Sequence, residues 1–105
     1  MTKLAKKQQD FTMAVGLLIV FAYSLGYHLT FGRAYEEGNP AGLHPKSLHK
    51  LRLAVDFNLK INGEWIKDGN HPAFKQLHDY WDLIGGAKRI KGDMNHFSFA
   101  YRGMR

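Results

Sequence analysis

A long uncharged stretch near the start of the chain, "FTMAVGLLIVFAYSLGY" at residues 11–27, sets the first structural expectation. Phe11, Val15, Leu18, Ile19, Ala22 and Leu25 recur at helical spacing, which predicts a helix packed into a core. Thr12, Gly16, Ser24 and Gly26 interrupt the run, and it is short for a bilayer span. The basic start "TKLAKKQQD" nevertheless makes an export signal or signal-anchor the alternative reading of the same residues. Further on, "YHLTFGRAY" alternates bulky and β-branched residues and predicts a strand leading to Arg33. "EEGNPAGLHPK", residues 36–46, has the Gly, Pro and Asn content of a loop. A second strand is expected at "LAVDFNLKI", turning at Asn62-Gly63 into a short third strand at "EWI". Pro72 then opens a helix, "PAFKQLHDYWDLIGG", with Phe74, Leu77, Tyr80, Trp81 and Ile84 on one face and a stop at Gly85-Gly86. A turn at Gly92 leads to a last strand, "HFSFAY". The order helix, strand, hairpin, helix, strand predicts a small α+β domain with a mainly antiparallel sheet and flanking helices.

At 105 residues the chain supports one domain, 1–105, in which residues 1–10 are expected as a mobile basic leader. There is no cysteine, which excludes disulfides, thiolate metal sites and thiol nucleophiles. Any metal would therefore be held by imidazole and carboxylate. A net charge of +6 implies attraction to polyanions such as nucleic acid, anionic lipid or an anionic cell-wall polymer, without choosing among them.

Candidate chemistry gathers in two places, "SLHKLRLAVD" and "GDMNHF". His49 and Asp56 are seven apart, and an odd separation on one regular strand points two side chains to opposite faces. Both reach one ion only if a bulge intervenes or if His49 lies in a loop before the strand. His96, three residues after Asp93, opens the last strand and could complete a set of two imidazoles and a carboxylate. Such a set leaves a coordination position open, the pattern of catalytic rather than structural zinc. Hydrolysis of a peptide further needs a carboxylate to carry a proton from water to the leaving amine, a role for which Asp93 is the candidate. The plainer reading makes His49 a loop histidine, Asp56 an edge charge and Asp93 part of a turn after Gly92.

"SLHKLRLAVD" matches the S-x-H-x6-D motif and "DMNHF" the D-x-x-H motif of the zinc peptidoglycan peptidases, a family of D-alanyl-D-alanine carboxypeptidases, dipeptidases of vancomycin resistance and phage L-alanyl-D-glutamate endopeptidases. The chain most resembles the small single-domain phage and prophage members from Gram-negative hosts, also through "LTFGRAY", "NLKINGEW" and the Trp-bearing helix ending in "GG". The resemblance implies a Hedgehog-like, carboxypeptidase-type fold with Zn2+ bound by His49, Asp56 and His96, and Asp93 as the catalytic acidic residue. It also implies that Arg33 hydrogen-bonds the substrate carbonyl or the developing oxyanion. Arg52 stands where many members have glycine, and Ala87 and Lys88 where many have an aromatic residue.

The function so implied is zinc-dependent hydrolysis of peptidoglycan stem peptides by a phage or prophage endolysin. L-alanyl-D-glutamate endopeptidase activity is favoured and D-alanyl-D-alanine carboxypeptidase activity is the rival. The expected partner is the stem peptide, with no nucleic acid, no stable membrane span and a monomeric chain. Such an enzyme waits in the host cytoplasm and acts on the periplasmic wall. The competing class is a non-enzymatic basic module that binds polyanions. His28 and His78 are expected as structural residues, His78 partly exposed; His44 and His71 as solvated loop residues; Trp65 and Trp81 as core.

Overall fold

The structure, a computed structural model, describes residues 1–35 and 47–105. The loop expected over 36–46, with His44, lies outside the described residues. Helix α1 spans Lys3–Ser24, so the basic leader is helical from its third residue. Thr2 caps it, its hydroxyl accepting the Ala5 N–H at 3.0 Å and satisfying one of the first-turn donors. The helix ends where Gly26 takes a left-handed backbone, φ +81°, and donates to the Tyr23 carbonyl. Its buried stripe is Phe11, Ala14, Leu18 and Ala22, flanked by half-buried Val15 and Ile19. Leu25, expected on this stripe, is 40% exposed because it has already passed the helix end. No helix among the described residues is long and apolar enough to cross a membrane.

Among the described residues, four strands form one antiparallel sheet: β1 Tyr27–Phe31, β2 Ala54–Ile61, β3 Glu64–Ile66 and β4 His96–Ser98. β2 pairs with all three others. β1 runs along one edge of β2, from Tyr27 opposite Ile61 to Phe31 opposite Phe57. β3 and β4 share the other edge, β3 opposite residues 59–61 and β4 opposite 54–56, which leaves a gap at Phe57 and Asn58. The predicted Asn62-Gly63 turn makes the β2–β3 hairpin, with both residues at positive φ, 53° and 80°. β4 is shorter than the "HFSFAY" strand expected, because the chain leaves the sheet after Ser98 and folds into a turn that pairs Tyr101 with Met104.

Strand alternation divides β2 cleanly. Val55, Phe57 and Leu59 are buried against the helices, whereas Asp56, Asn58 and Lys60 lie on the opposite face. Helix α2, Pro72–Leu83, closes the core with Phe74, Leu77 and Trp81. Phe21 of α1 stacks on Tyr80 of α2 at 4.2 Å, and Phe11 meets Trp81 edge to face at 5.9 Å.

Three aromatic or histidine expectations change. Trp65 is 52% exposed, because its strand lies at the sheet edge and its ring faces Lys67 rather than the core. His78 is fully buried, stacked on Phe97 at 4.2 Å, since it falls one helical turn from Phe74 on the core face of α2. His71 is the N-cap of α2: its Nδ1 accepts the Ala73 N–H at 3.0 Å. Trp81 is core, as expected.

Candidate metal centre

His49 lies in a short 3-10 helix, Leu48–Leu51, and not on the strand. Ser47 caps that turn, its hydroxyl accepting the His49 N–H at 3.1 Å, which gives the serine of S-x-H a structural reason. The turn is terminated by Arg52 in a left-handed conformation, φ 55°, and Leu53 closes it by donating to the Leu48 carbonyl at 3.0 Å. This reversal resolves the odd spacing. The chain turns between His49 and Asp56, so the two side chains converge on one point.

Asp56 and His96 face each other directly across β2 and β4. The Phe57 N–H donates to the Asn95 carbonyl just beyond them, so the pair is of the non-hydrogen-bonded kind, in which side chains stand closest. On its other edge Asp56 is gripped by two residues: Gly32 donates to its carbonyl and the Arg33 carbonyl accepts its N–H, both at 2.7 Å. Two residues against one is the count of a β-bulge, and the bulge turns Arg33 toward the centre. A side chain at position 32 would put Cβ 3.2 Å from the Asp56 carbonyl oxygen, a tight contact that glycine avoids.

Asp56 Oδ1 lies 3.4 Å from His49 Nε2 and 3.2 Å from His96 Nδ1, and the two rings meet edge to face at 5.2 Å. One donor atom from each of the three residues lies within 4.8 Å of the others. His49 is buried, while Asp56 and His96 are only slightly exposed. His49 Nδ1 faces the Ala34 carbonyl at 3.3 Å, and because that oxygen can only accept, Nδ1 is the protonated nitrogen. His49 Nε2 and His96 Nε2 are both buried without a hydrogen-bond partner among the described residues. Burial alone would raise the Asp56 carboxyl, but the two imidazoles beside it prevail and hold it well below the usual carboxylate range. Two imidazole nitrogens closing on one carboxylate oxygen call for positive charge among them, as protons on the rings or as a metal ion. Nitrogen and carboxylate donors at this separation fit a divalent ion.

Asp93 and Arg33 flank the three. Asp93 Oδ2 lies 3.9 Å from His96 Nδ1, on a half-exposed side chain. Two successive turns place it: Asp93 N–H bonds to the Ile90 carbonyl with Gly92 at φ 84°, and His96 N–H bonds to the Asp93 carbonyl. Arg33 Nε lies 3.8 Å from Asp56 Oδ2. All five residues singled out in the sequence therefore meet. Sequence reasoning missed Gly32, the Ala34 carbonyl and His78. The last donates from Nε2 to the Met94 carbonyl at 2.7 Å and so steadies the turn between Asp93 and His96. Nothing in the spacing of His78 signals that role. Compared with known proteins, the chain matches no family model and no curated sequence.

Proposed function

We propose that His49, Asp56 and His96 hold a zinc ion and that the protein is a zinc-dependent peptidase of peptidoglycan stem peptides, acting in the periplasm as a phage or prophage endolysin. The observation that carries this reading is the convergence of two imidazoles and an ionised carboxylate on one point, with a second, half-exposed carboxylate alongside. Zinc in such a three-ligand site supplies Lewis acidity toward a peptide carbonyl and brings the pKa of its water to roughly 7. The protein's own residues do the rest. Asp93 takes the proton of the attacking water on a carboxylate oxygen and returns it to the leaving amine. Arg33 offers its guanidinium to the carbonyl oxygen as negative charge grows there, and Asp56 keeps that guanidinium at the centre. The Ala34 carbonyl orients the His49 ring, as outer partners of metal-bound histidines do. L-alanyl-D-glutamate endopeptidase activity is the favoured specificity, and D-alanyl-D-alanine carboxypeptidase activity the alternative.

The test is digestion of purified Gram-negative peptidoglycan with chelator, with zinc restored, and with Asp93→Ala, reading new termini by mass spectrometry. Zinc-dependent release that falls about 10²–10⁴-fold in the variant is expected, the scale of general acid–base catalysis. The termini name the bond. A folded, zinc-loaded protein that releases nothing from the wall or from isolated stem peptides would refute the reading. Salt-sensitive, chelator-indifferent binding to polyanions would then favour a basic binding module.

A further inference from the structure

The gap between β3 and β4 on the edge of β2 opens into a cavity of about 430 Å³. Its polar lining is Asn58, Asn70, Asn95, Lys67, Lys91 and Trp65, and among the described residues no Asp or Glu lines it. Of the carboxylates next to lining residues in the chain, Asp68 accepts the Asn70 N–H at 2.9 Å and Asp93 faces His96. Lys67 holds its ammonium over the Trp65 ring at 4.4 Å, which fixes a positive charge at the cavity wall. Amide donors and two ammonium groups, with no acid among the described lining residues, make a surface suited to an anion.

The cavity also adjoins the metal centre. Asn95 immediately precedes His96, and Asn58 lies two residues beyond Asp56 on the same face of β2, a distance of about 7 Å along a strand. In an extended peptide that distance spans about two residues. Resting on the peptidase reading, we propose that the cavity is a subsite for a carboxylate carried by the substrate peptide within two residues of the bond at the metal centre. The enzyme thereby selects acidic over amidated stem peptides, with Lys67 and Lys91 as specificity-determining residues.

Trp65 lines the cavity and is half exposed, whereas Trp81 is buried, so indole fluorescence reports its occupation. The probes are two versions of L-alanyl-γ-D-glutamyl-meso-diaminopimelate in which CH2–CH2 replaces the L-alanyl–D-glutamyl amide, one with free carboxylates and one fully amidated. Each is titrated into the zinc-loaded full chain. The acidic probe is expected to bind at least about tenfold more tightly than the amide, the effect of a charge-assisted hydrogen bond. In Lys67→Gln/Lys91→Gln that preference should fall below about threefold, with the amide's affinity and the melting temperature unchanged. Equal affinity for the two probes, an undiminished preference in the double variant, or saturable binding of neither would overturn the subsite. Failure of the peptidase reading looks different: the wall stays intact while the probes still discriminate.

Discussion

Gly86→Ala should be the most damaging glycine-to-alanine substitution among the described residues. A Cβ at this position would lie 2.0 Å from Trp81 Nε1 and 2.1 Å from its Cδ1. Restoring van der Waals contact requires the indole to withdraw by roughly 1.5 Å. It has nowhere to go: Trp81 is fully buried, edge to face with Phe11 and Phe97 and tilted against Phe99 at 5.5 Å. Withdrawal also breaks the bond from Nε1 to the Ser98 carbonyl, now 2.9 Å long. An orphaned buried donor costs about 1–3 kcal/mol and overpacking about 1–3 kcal/mol, so the sum is about 2–6 kcal/mol. That is a large share of the roughly 5–15 kcal/mol that holds a domain together. Urea denaturation followed by circular dichroism measures it through the midpoint. Gly85→Ala is the control, because position 85 has φ 100° but no atom within 4 Å of a Cβ, so it bears only backbone strain of about 1–2 kcal/mol. A Gly86→Ala protein within 1 kcal/mol of wild type, roughly the resolution of the comparison, or a more damaging Gly85→Ala, would refute the steric argument.

Zinc at a hundredfold excess over its dissociation constant should stabilise the chain by about 2.7 kcal/mol, a melting shift of about 11–22 °C for a domain of this size. Asp56→Asn should abolish the shift, and an unchanged shift in that variant would place the ion elsewhere. Burial lowers the His78 pKa from its usual 6.5, although the bond to Met94 opposes this. The unfolded chain then takes up the proton first, so this contribution to stability is complete above 6.5 and is lost as pH falls below it. His78→Gln, which keeps a donor for Met94 without titrating, should flatten the slope of melting temperature between pH 7.5 and 5, values that bracket roughly an ordinary histidine titration. An identical slope would show that His78 is not the titrating group.

How much of this was legible beforehand differs by element. Apolar periodicity located both helices and both long strands, and Asn62-Gly63 fixed the hairpin, because these signals are local. The buried stripe of α1 was read only in part. Its centre includes Ala14, whose small side chain carries little weight in a hydrophobic pattern yet lets neighbouring elements approach. Four of the five site residues were named from two motifs and Arg33 from the stretch "FGRAY", but spacing could not say how His49 and Asp56 share a face. That depends on a left-handed residue at Arg52, a conformation that arginine does not advertise. Glycine adopts that conformation without strain, whereas Arg52 holds it while stacked on Tyr35 at 4.1 Å. Trp65 and His78 were misplaced for one reason: exposure is set by which edge or face the assembled sheet covers.

The arrangement of the sheet has a kinetic consequence. β2 is complete as a hairpin with β3 through neighbouring residues, but Asp56 meets His96 only across a separation of forty. Loop closure of that length comes late in folding, when most of the chain is already ordered. An ion that needs both residues finds no site in the early collapsed chain. Its binding energy should therefore appear as slower unfolding and leave the folding rate nearly untouched, so a bound ion would act as a latch on a domain that assembles without it.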